Sequence, residues 1–372
     1  MKLTKFLIIM IAVVSLAAPV FAQDVPAWVK KLTLSGDVSV RTEFDTGEKN
    51  DRDRVRERGR FRLGLDTAIS DKVKGSVGIE TAGTNPTSAW VDFTDFQKAS
   101  LFLSHAYIQY VAAPEFTVSG GVLKNTIPIW TPVQLVWKSD VNPYGVAANI
   151  KTNSSGAANF FANVSVLALT PHLDQWDPDV VDTPMSSIFI VQPGFEAKGG
   201  NTNFRAGVAI QKFALEGHAT GGWLNANQSF TLFTPSWELR QGGIGGKYQF
   251  TFNGEFSKNV SDGINDWGSF TPVVEDGETM TYMLQGGFGT PSIRAAKDWQ
   301  VRAAYRYMEQ NAIPRGMGQT SAYEAQPGKG WECFFGLGLV RDLAFNATIY
   351  IMKDMDGNRN QSVSQFDLVY RF

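Results

Sequence analysis

The sequence is poor in the residues from which most metal and catalytic sites are built. Its 372 residues include one cysteine, Cys333, and three histidines, His105, His172 and His218, which lie far apart. A single cysteine excludes an intrachain disulfide and any zinc site with several thiolate ligands. The scattered histidines leave little for acid–base or metal chemistry. We therefore expect no metal site, no cofactor and no catalytic residues.

Charge is also scarce and balanced. Charged residues make up 19% of the chain, and the formal net charge is −2 at pH 7. Because there is no basic excess, we expect no nucleic-acid partner. Glycine (36 residues) and aromatic residues (12%) are plentiful instead, which favours β structure over a coiled coil or a disordered chain.

No hydrophobic run is long enough to cross a membrane as a helix, and the longest run lies at the N-terminus. Lys2 and Lys5 precede an apolar run over 6–18, and a small-residue cleavage site follows at 20–22. A membrane-spanning helix needs about 20 apolar residues, so this shorter run predicts a signal peptide over residues 1–22.

The domain organisation follows from this assignment. We expect a cleaved signal peptide over 1–22, a short periplasmic N-terminal segment over 23–30 and a single folded unit over 31–372. Export of a chain that is nearly free of cysteine indicates a bacterial envelope.

The remaining chain consists of segments in which apolar and polar residues alternate. In the first segment Leu34, Val38 and Val40 alternate with Asp37 and Glu43. This period of two is that of a β-strand with one apolar face. The alternation predicts 16 strands, at 31–44, 59–69, 73–82, 101–111, 116–124, 145–152, 158–168, 186–197, 203–213, 236–246, 249–258, 277–288, 298–309, 329–339, 343–353 and 363–372.

The connections between these segments are alternately long and short. The one exception is the connection at 289–297, which is expected to be tight and has nine residues. Short turns on one side and long loops on the other are typical of membrane barrels, in which the sheet closes because lipid cannot hydrogen-bond an open edge. The sequence therefore predicts an all-β, transmembrane antiparallel up-and-down β-barrel of about 16 strands, with short periplasmic turns and long extracellular loops.

Several runs resemble the bacterial putative porin family. They are residues 24–38, the arginine-rich run 51–65, residues 135–145 with the motif WKSDVNPYG, and residues 298–307. The terminal Phe372 is similar to the last aromatic residue of outer-membrane barrels. The resemblance implies a barrel porin in the bacterial outer membrane, and it does not identify the solute.

Arginines at every second position from Arg52 to Arg62 share one face of the second strand. Because charges facing lipid near the midplane would cost roughly 2–4 kcal/mol each, we expect Arg58, Arg60 and Arg62 to face the interior. The full set of expected pore-lining residues is Asp37, Arg41, Glu43, Arg58, Arg60, Arg62, Asp66, Lys74, Glu80, Arg302, Arg306 and Arg371.

The role of the arginines has three alternatives at this point. They neutralise acidic residues on neighbouring strands, they set a field across the pore that favours anions, or they form a dedicated anion site.

The third long connection, at 125–144, is unusually apolar for an outer loop. Because so much apolar surface is unfavourable in water, we expect this loop to fold into the barrel and narrow it. The alternative is packing against another loop or a subunit interface. The expected constriction residues are Lys124, Ile129, Trp130, Trp137, Lys138 and Asp140.

The leading functional hypothesis is an outer-membrane porin, a water-filled channel for passive diffusion of small hydrophilic solutes that favours anions if the arginines are not neutralised. A structural or adhesive barrel and a plugged barrel hydrolase are the alternatives. The hydrolase is disfavoured because Ser104 and His105, as neighbours on a strand, should point to opposite faces. Expected partners are outer-membrane lipid, lipopolysaccharide, small hydrophilic solutes or ions, and further copies of the chain in a homotrimer.

Overall fold

The computed structural model describes residues 29–47, 53–82, 88–93, 99–152, 157–169, 186–214, 230–261, 278–314, 317, 327–355 and 360–372. The predicted signal peptide and most of the predicted segment 23–30 lie outside the described residues. Within the described part of the chain, no helix is both long and apolar enough to span a membrane.

The described residues form one closed antiparallel sheet of 16 long strands, which confirms the predicted fold class and strand number. A further strand of two residues, β4, lies in a loop. The strands are β1 (Thr33–Gly47), β2 (Arg54–Ala68), β3 (Val73–Ala82), β4 (Val91–Asp92), β5 (Ser100–Ala113), β6 (Phe116–Val122), β7 (Tyr144–Lys151), β8 (Ala158–Leu169), β9 (Ser186–Gly199), β10 (Thr202–Ala214), β11 (Phe230–Ile244), β12 (Tyr248–Asn259), β13 (Met280–Gly289), β14 (Trp299–Met308), β15 (Gly328–Val340), β16 (Leu343–Asp354) and β17 (Asn360–Arg371).

Two strands begin five or more residues earlier than predicted. β2 starts at Arg54 rather than 59, because its first residues pair with β1 as far as Asp45 although neither face there is apolar. β11 starts at Phe230 rather than 236, where Pro235 interrupts the pattern that a strand normally displays. Strand pairing therefore continues beyond the part of the sequence in which alternation is visible.

The barrel closes between its first and last long strands. β1 pairs with β2 on one side and with β17 on the other, so that Asp37 lies opposite both Arg62 and Arg371. Closure gives each long strand two neighbours, which satisfies the backbone hydrogen-bonding groups inside a lipid bilayer.

The two faces of the sheet have opposite polarity. On β1, Val38 and Val40 are exposed on the outer face, whereas Ser39 and Glu43 are buried on the inner face. A soluble protein would show the reverse arrangement, because it buries apolar side chains away from water. The outer surface is therefore suited to lipid and the interior to polar groups.

The connections confirm the alternation expected from the sequence. The rim with the turns 69–72, 114–115, 200–201, 245–247 and 341–342 is called the short-turn rim below, and the opposite end is called the long-loop rim. The connection 290–298, at the short-turn rim, has the length expected from the sequence. There the Asp298 carboxylate accepts backbone hydrogen bonds from Ala295 (2.7 Å) and Arg294 (3.1 Å), which lower the pKa of Asp298.

The main apolar cluster lies inside the barrel rather than within its wall. It joins residues 123–143, called loop three below, to inward-facing side chains of the strands around it. Its buried members from loop three are Leu123, Ile129, Val133, Leu135, Val136 and Trp137, and those from the wall include Leu167, Ile188, Ile190, Phe213, Leu232, Met283 and Met308.

Candidate functional site: the interior of the barrel

The arginine ladder, defined as Arg54, Arg56, Arg58, Arg60 and Arg62, lies along the inward face of β2. The register between β1 and β2 fixes this direction, since Asp37 is paired with Arg62 and is buried on the inside. The neighbours of the ladder across the strand pair are Asp45, Glu43, Arg41, Ser39 and Asp37, in that order.

Acidic side chains of β1 neutralise most of the ladder. Asp37 accepts hydrogen bonds from Arg60 (2.8 Å) through one carboxylate oxygen and from Arg62 (2.7 Å) through the other. Glu43 forms ion pairs with Arg56 and with Arg58, the latter at 3.5 Å. Of the three alternatives for the arginines, these contacts favour neutralisation by neighbouring strands.

A second set of ion pairs joins the barrel at its closure. The Arg41 guanidinium donates to both oxygens of Asp367 on β17, at 2.6 and 2.9 Å. Two parallel bonds of this type are stronger and more directional than a single contact. Arg41 is thus a connection between the first and last strands as well as an inward-facing charge.

Residues 88–93, which include β4, add contacts to the ladder that the sequence did not indicate. Trp90 is nearly buried, and the Cζ atoms of Arg41 and Arg60 lie 3.9 and 4.7 Å from its ring centroid. Asp92 forms an ion pair with Arg58, in which Asp92 Oδ1 lies 2.7 Å from Arg58 Nε. Both residues lie in a loop without alternation, so the only available signal was a tryptophan and an aspartate near an arginine-rich strand.

Loop three lies inside the barrel and is attached to the wall by polar side chains. Gln192 accepts the backbone N–H of Trp130 at 2.8 Å and donates to the carbonyl of the same residue at 2.7 Å. Gln211 accepts the indole N–H of Trp137 at 2.6 Å. A carboxamide can make this reciprocal pair because it carries a donor and an acceptor.

Further bonds hold the second half of the loop. The buried Glu255 accepts the backbone N–H of Val136 at 3.2 Å, and Arg306 donates to the carbonyl of Gln134 at 3.3 Å. These contacts run from β9 to β14. The sequence alone did not indicate these roles for Gln192, Gln211 and Glu255, although each occupies an inward position of a predicted strand.

Three of the expected constriction residues do not face open space. Ile129 and Trp137 are buried against the wall, and Lys138 is buried as well. Trp130 is half-buried, and Lys124 donates to Asp66 at 3.2 Å. Apolar packing draws the loop onto the wall, so its large side chains fill the contact rather than the passage.

Loop three also approaches the arginine ladder. Asp140 lies 3.9 Å from Arg62, and the side chains of Arg62, Lys124 and Asp66 have exposed fractions of 37%, 35% and 43%. Glu80 lies beside Arg62 in the register of β2 and β3. Arg62, Lys124 and Asp66 form the part of the interior that water reaches near the loop.

The remaining expected pore-lining residues are distributed around the barrel. Lys74 is exposed near the short-turn rim, and Arg302 is exposed with its guanidinium carbon 4.1 Å from the Phe334 ring centroid. Arg306 is buried beneath loop three. Arg371 donates to the carbonyl of Ile293, at 3.4 Å, close to the short-turn rim.

The relation between Ser104 and His105 differs from the expectation. A β-bulge at Gly78 leaves Ser104 without a partner in the register, and its hydroxyl lies 3.1 Å from His105 Nδ1. His105 Nε2 lies 3.1 Å from Ser76. The expectation of opposite directions was wrong because a bulge breaks the strict alternation of a strand.

Together, the closed sheet, the lipid-compatible outer face and the polar interior narrowed by a loop define an outer-membrane β-barrel channel. The chain belongs to the Putative porin family, whose sequence profile matches residues 44–243 and 245–372. No curated protein is significantly similar to the chain in sequence.

Solved structures with the same fold are outer-membrane proteins. OprB of Pseudomonas putida is 12% identical, with a TM-score of 0.57 over 92% of this chain and 95% of that one. The outer membrane channel DcaP of Acinetobacter baumannii is 14% identical, with a TM-score of 0.55 over 92% of this chain and 97% of that one. At such identities the similarity establishes the barrel fold, and the family places the protein in the outer membrane as a porin.

Proposed function

We propose that the protein is a passive channel for small hydrophilic solutes, with a weak preference for anions. The observation that carries this proposal is the water-accessible set of charged side chains inside the barrel, at Arg62, Asp66 and Lys124. Inward-facing charges in a closed barrel have no function in lipid and are suited to a solvated path. The preference is weak because Asp37, Glu43, Asp92 and Asp367 offset the neighbouring arginines.

The channel is tested by single-channel conductance in planar bilayers with a salt gradient. We expect ohmic steps with a small reversal potential that favours anions. The variant Arg58→Ala/Arg60→Ala/Arg62→Ala should shift this potential toward cations, since it releases the carboxylates of Asp37, Glu43 and Asp92. Absence of conductance from folded, heat-modifiable protein would refute the channel. An unchanged reversal potential would refute a role for the arginines in selectivity.

We also infer that the barrel has no hydrolytic activity. The two imidazole nitrogens of His105 lie within hydrogen-bond distance of the hydroxyls of Ser104 and Ser76. The Asp66 carboxylate is bonded to Lys124 rather than to the imidazole. A catalytic triad needs a carboxylate that orients the histidine. The inference is tested with ester and phospholipid substrates, for which His105→Ala should match the wild type.

Export and assembly are further parts of the proposal. Cleavage before Gln23 would release residues 1–22, and N-terminal sequencing of the mature protein tests this site. The exposed apolar outer face suits lipid and lipopolysaccharide and equally a homotrimer interface. Cross-linking in native membranes should give a species with three times the mass of the chain, and a product of single mass alone would refute the trimer.

A further inference from the structure

Arg205 on β10 differs from the arginines of the ladder. It faces the interior between Glu196 on β9 and Glu238 on β11, which are its direct neighbours in the register. No ion pair joins Arg205 to either glutamate or to another carboxylate among the described residues. An inward-facing arginine beside two carboxylates without an ion pair requires an explanation.

The two glutamates are engaged by other cations. Glu196 accepts Lys151 and Lys198 at 3.0 Å each, and Glu238 accepts Arg240 at 2.8 Å. With Arg205 included, four basic side chains surround two acidic ones. The neighbourhood of Arg205 therefore keeps a positive excess, whereas the ladder is close to neutral.

Aromatic rings hold the Arg205 guanidinium in place. Its Cζ lies 4.4 Å from the Trp130 ring centroid and 4.3 Å from that of Phe161. The Phe161 ring fits because residue 194 is glycine, where a Cβ would lie 2.2 Å from Phe161 Cζ. Stacking on ring faces fixes the plane of a guanidinium and leaves its edge available for hydrogen bonds.

The edge of this guanidinium is unused by the protein. Arg205 Nε is buried without a hydrogen-bond partner, and the two terminal nitrogens are not among the buried unpaired atoms of the described residues. Arg205 lies on the short-turn side of loop three, since its neighbour Glu196 is four residues beyond Gln192 on β9. A solute that passes the loop therefore meets these nitrogens.

We propose that Arg205 binds the carboxylate group of small organic anions on the short-turn side of loop three. The planar fork of a guanidinium matches a carboxylate through two parallel hydrogen bonds. The half-buried ring of Trp130 is placed to contact an apolar part of the same solute. This binding residue rests on the proposed channel and adds to it a docking position on the wall opposite the ladder.

The test is block of chloride current by benzoate in planar bilayers, together with calorimetric titration of the detergent-solubilised protein with benzoate. We expect saturable block by the wild type. Arg205→Gln should raise the half-blocking concentration and the dissociation constant at least tenfold. Arg205→Lys keeps the charge without the fork, so it should weaken block severalfold and leave the reversal potential unchanged.

Lys247→Gln is the matched control. It removes a cation that lies 5.0 Å from the Tyr248 ring centroid, at the same rim but in a turn, and it should leave benzoate block and binding unchanged. Equal block and equal binding in the wild type and Arg205→Gln would overturn the binding residue. Calorimetric binding that depends on Arg205 without any conductance would uphold the residue and refute the channel, so the two failures are distinguishable.

Discussion

Asp37 shows how a single carboxylate controls two charges of the interior. It accepts both Arg60 and Arg62, and its side chain is only 9% exposed. The contribution of both arginines to the pore field therefore depends on this shared partner. Pairing, rather than the number of arginines, thus determines the charge that a solute meets.

We predict that Asp37→Asn increases anion selectivity. The change leaves Arg60 and Arg62 without their shared carboxylate, so the interior gains one net positive charge. The reversal potential in a potassium chloride gradient should shift toward the chloride potential. Asp71→Asn, in an exposed turn at the short-turn rim, serves as the control and should leave the potential unchanged. Identical shifts in the two variants would contradict the prediction.

Asp298 gives a prediction for pH. Backbone N–H groups of Ala295 and Arg294 stabilise its ionised form, so the folded pKa lies below the ordinary value of 3.8. A depressed pKa contributes stability that is fully present above the ordinary value and is lost as the pH falls through the lowered one. Asp298→Ala should therefore lower the temperature of barrel unfolding at pH 7 and have a smaller effect at pH 3.

The measurement for Asp298 is the temperature at which the barrel loses its compact mobility on a gel. Asp71→Ala removes an exposed aspartate from another turn at the same rim and should show no such pH dependence. An equal effect of Asp298→Ala at both pH values would mean that the carboxylate charge has no part in stability.

At the scale of elements, loop three behaves as part of the barrel core. Its apolar side chains pack against the wall, and polar contacts from Gln192, Gln211 and Glu255 fix its path. Each net hydrogen bond of this type contributes about 0.5–1.5 kcal/mol, so several together restrict a loop strongly. The position of loop three inside the barrel is therefore fixed by side chains of the wall on which it packs.

We predict that Gln192→Ala/Gln211→Ala lowers the mean conductance and increases current noise, because a loop that leaves the wall enters the passage. The double variant removes the bonds to the backbone of Trp130 and to the indole of Trp137, so the loop samples positions away from the wall. Single-channel recording measures both effects. Gln285→Ala is the control, since Gln285 faces inward on β13 and is bonded to Asn253 rather than to the loop. Current noise equal to that of the control would contradict the role of these glutamines.

At the scale of the whole molecule, the seam that closes the barrel between β1 and β17 includes a contact between Gly36 and Phe372. Gly36 and Phe372 exchange backbone hydrogen bonds of 3.0 and 3.1 Å. A Cβ at position 36 would lie 2.2 Å from the carbonyl oxygen of Arg62 and 2.7 Å from the Phe372 ring. Only glycine leaves room for this junction.

We predict that Gly36→Val reduces the yield of closed, heat-modifiable barrel, because the backbone of β2 cannot move away without breaking its pairing. Gly286→Val is matched to it, since Gly286 lies within a strand and has open space where a Cβ would be. Gel mobility before and after heating measures the closed fraction. Equal closed fractions for the two variants would show that the junction tolerates a side chain.

The fold was largely predictable because a membrane barrel imposes a local rule. Lipid outside and polar groups inside require alternation along each strand. The polarity of Val38 and Asp37 therefore indicates which face each residue occupies, even when the neighbouring strands are not known. The exceptions follow from the same rule. The ends of β2 and β11 extend beyond the apolar band, and the bulge at Ser104 shifts the period, so alternation carries no information there.

By itself the sequence determined the class of fold, the number of long strands, the alternation of turns and loops and the inward direction of the ladder, because these depend on local polarity. Tertiary structure alone decided which arginine has a partner. Asp92 reaches Arg58 from a loop, whereas the glutamates beside Arg205 turn to other cations. Such pairing depends on the register of the strands and on the path of the loops, and hence on distances between residues remote in the chain.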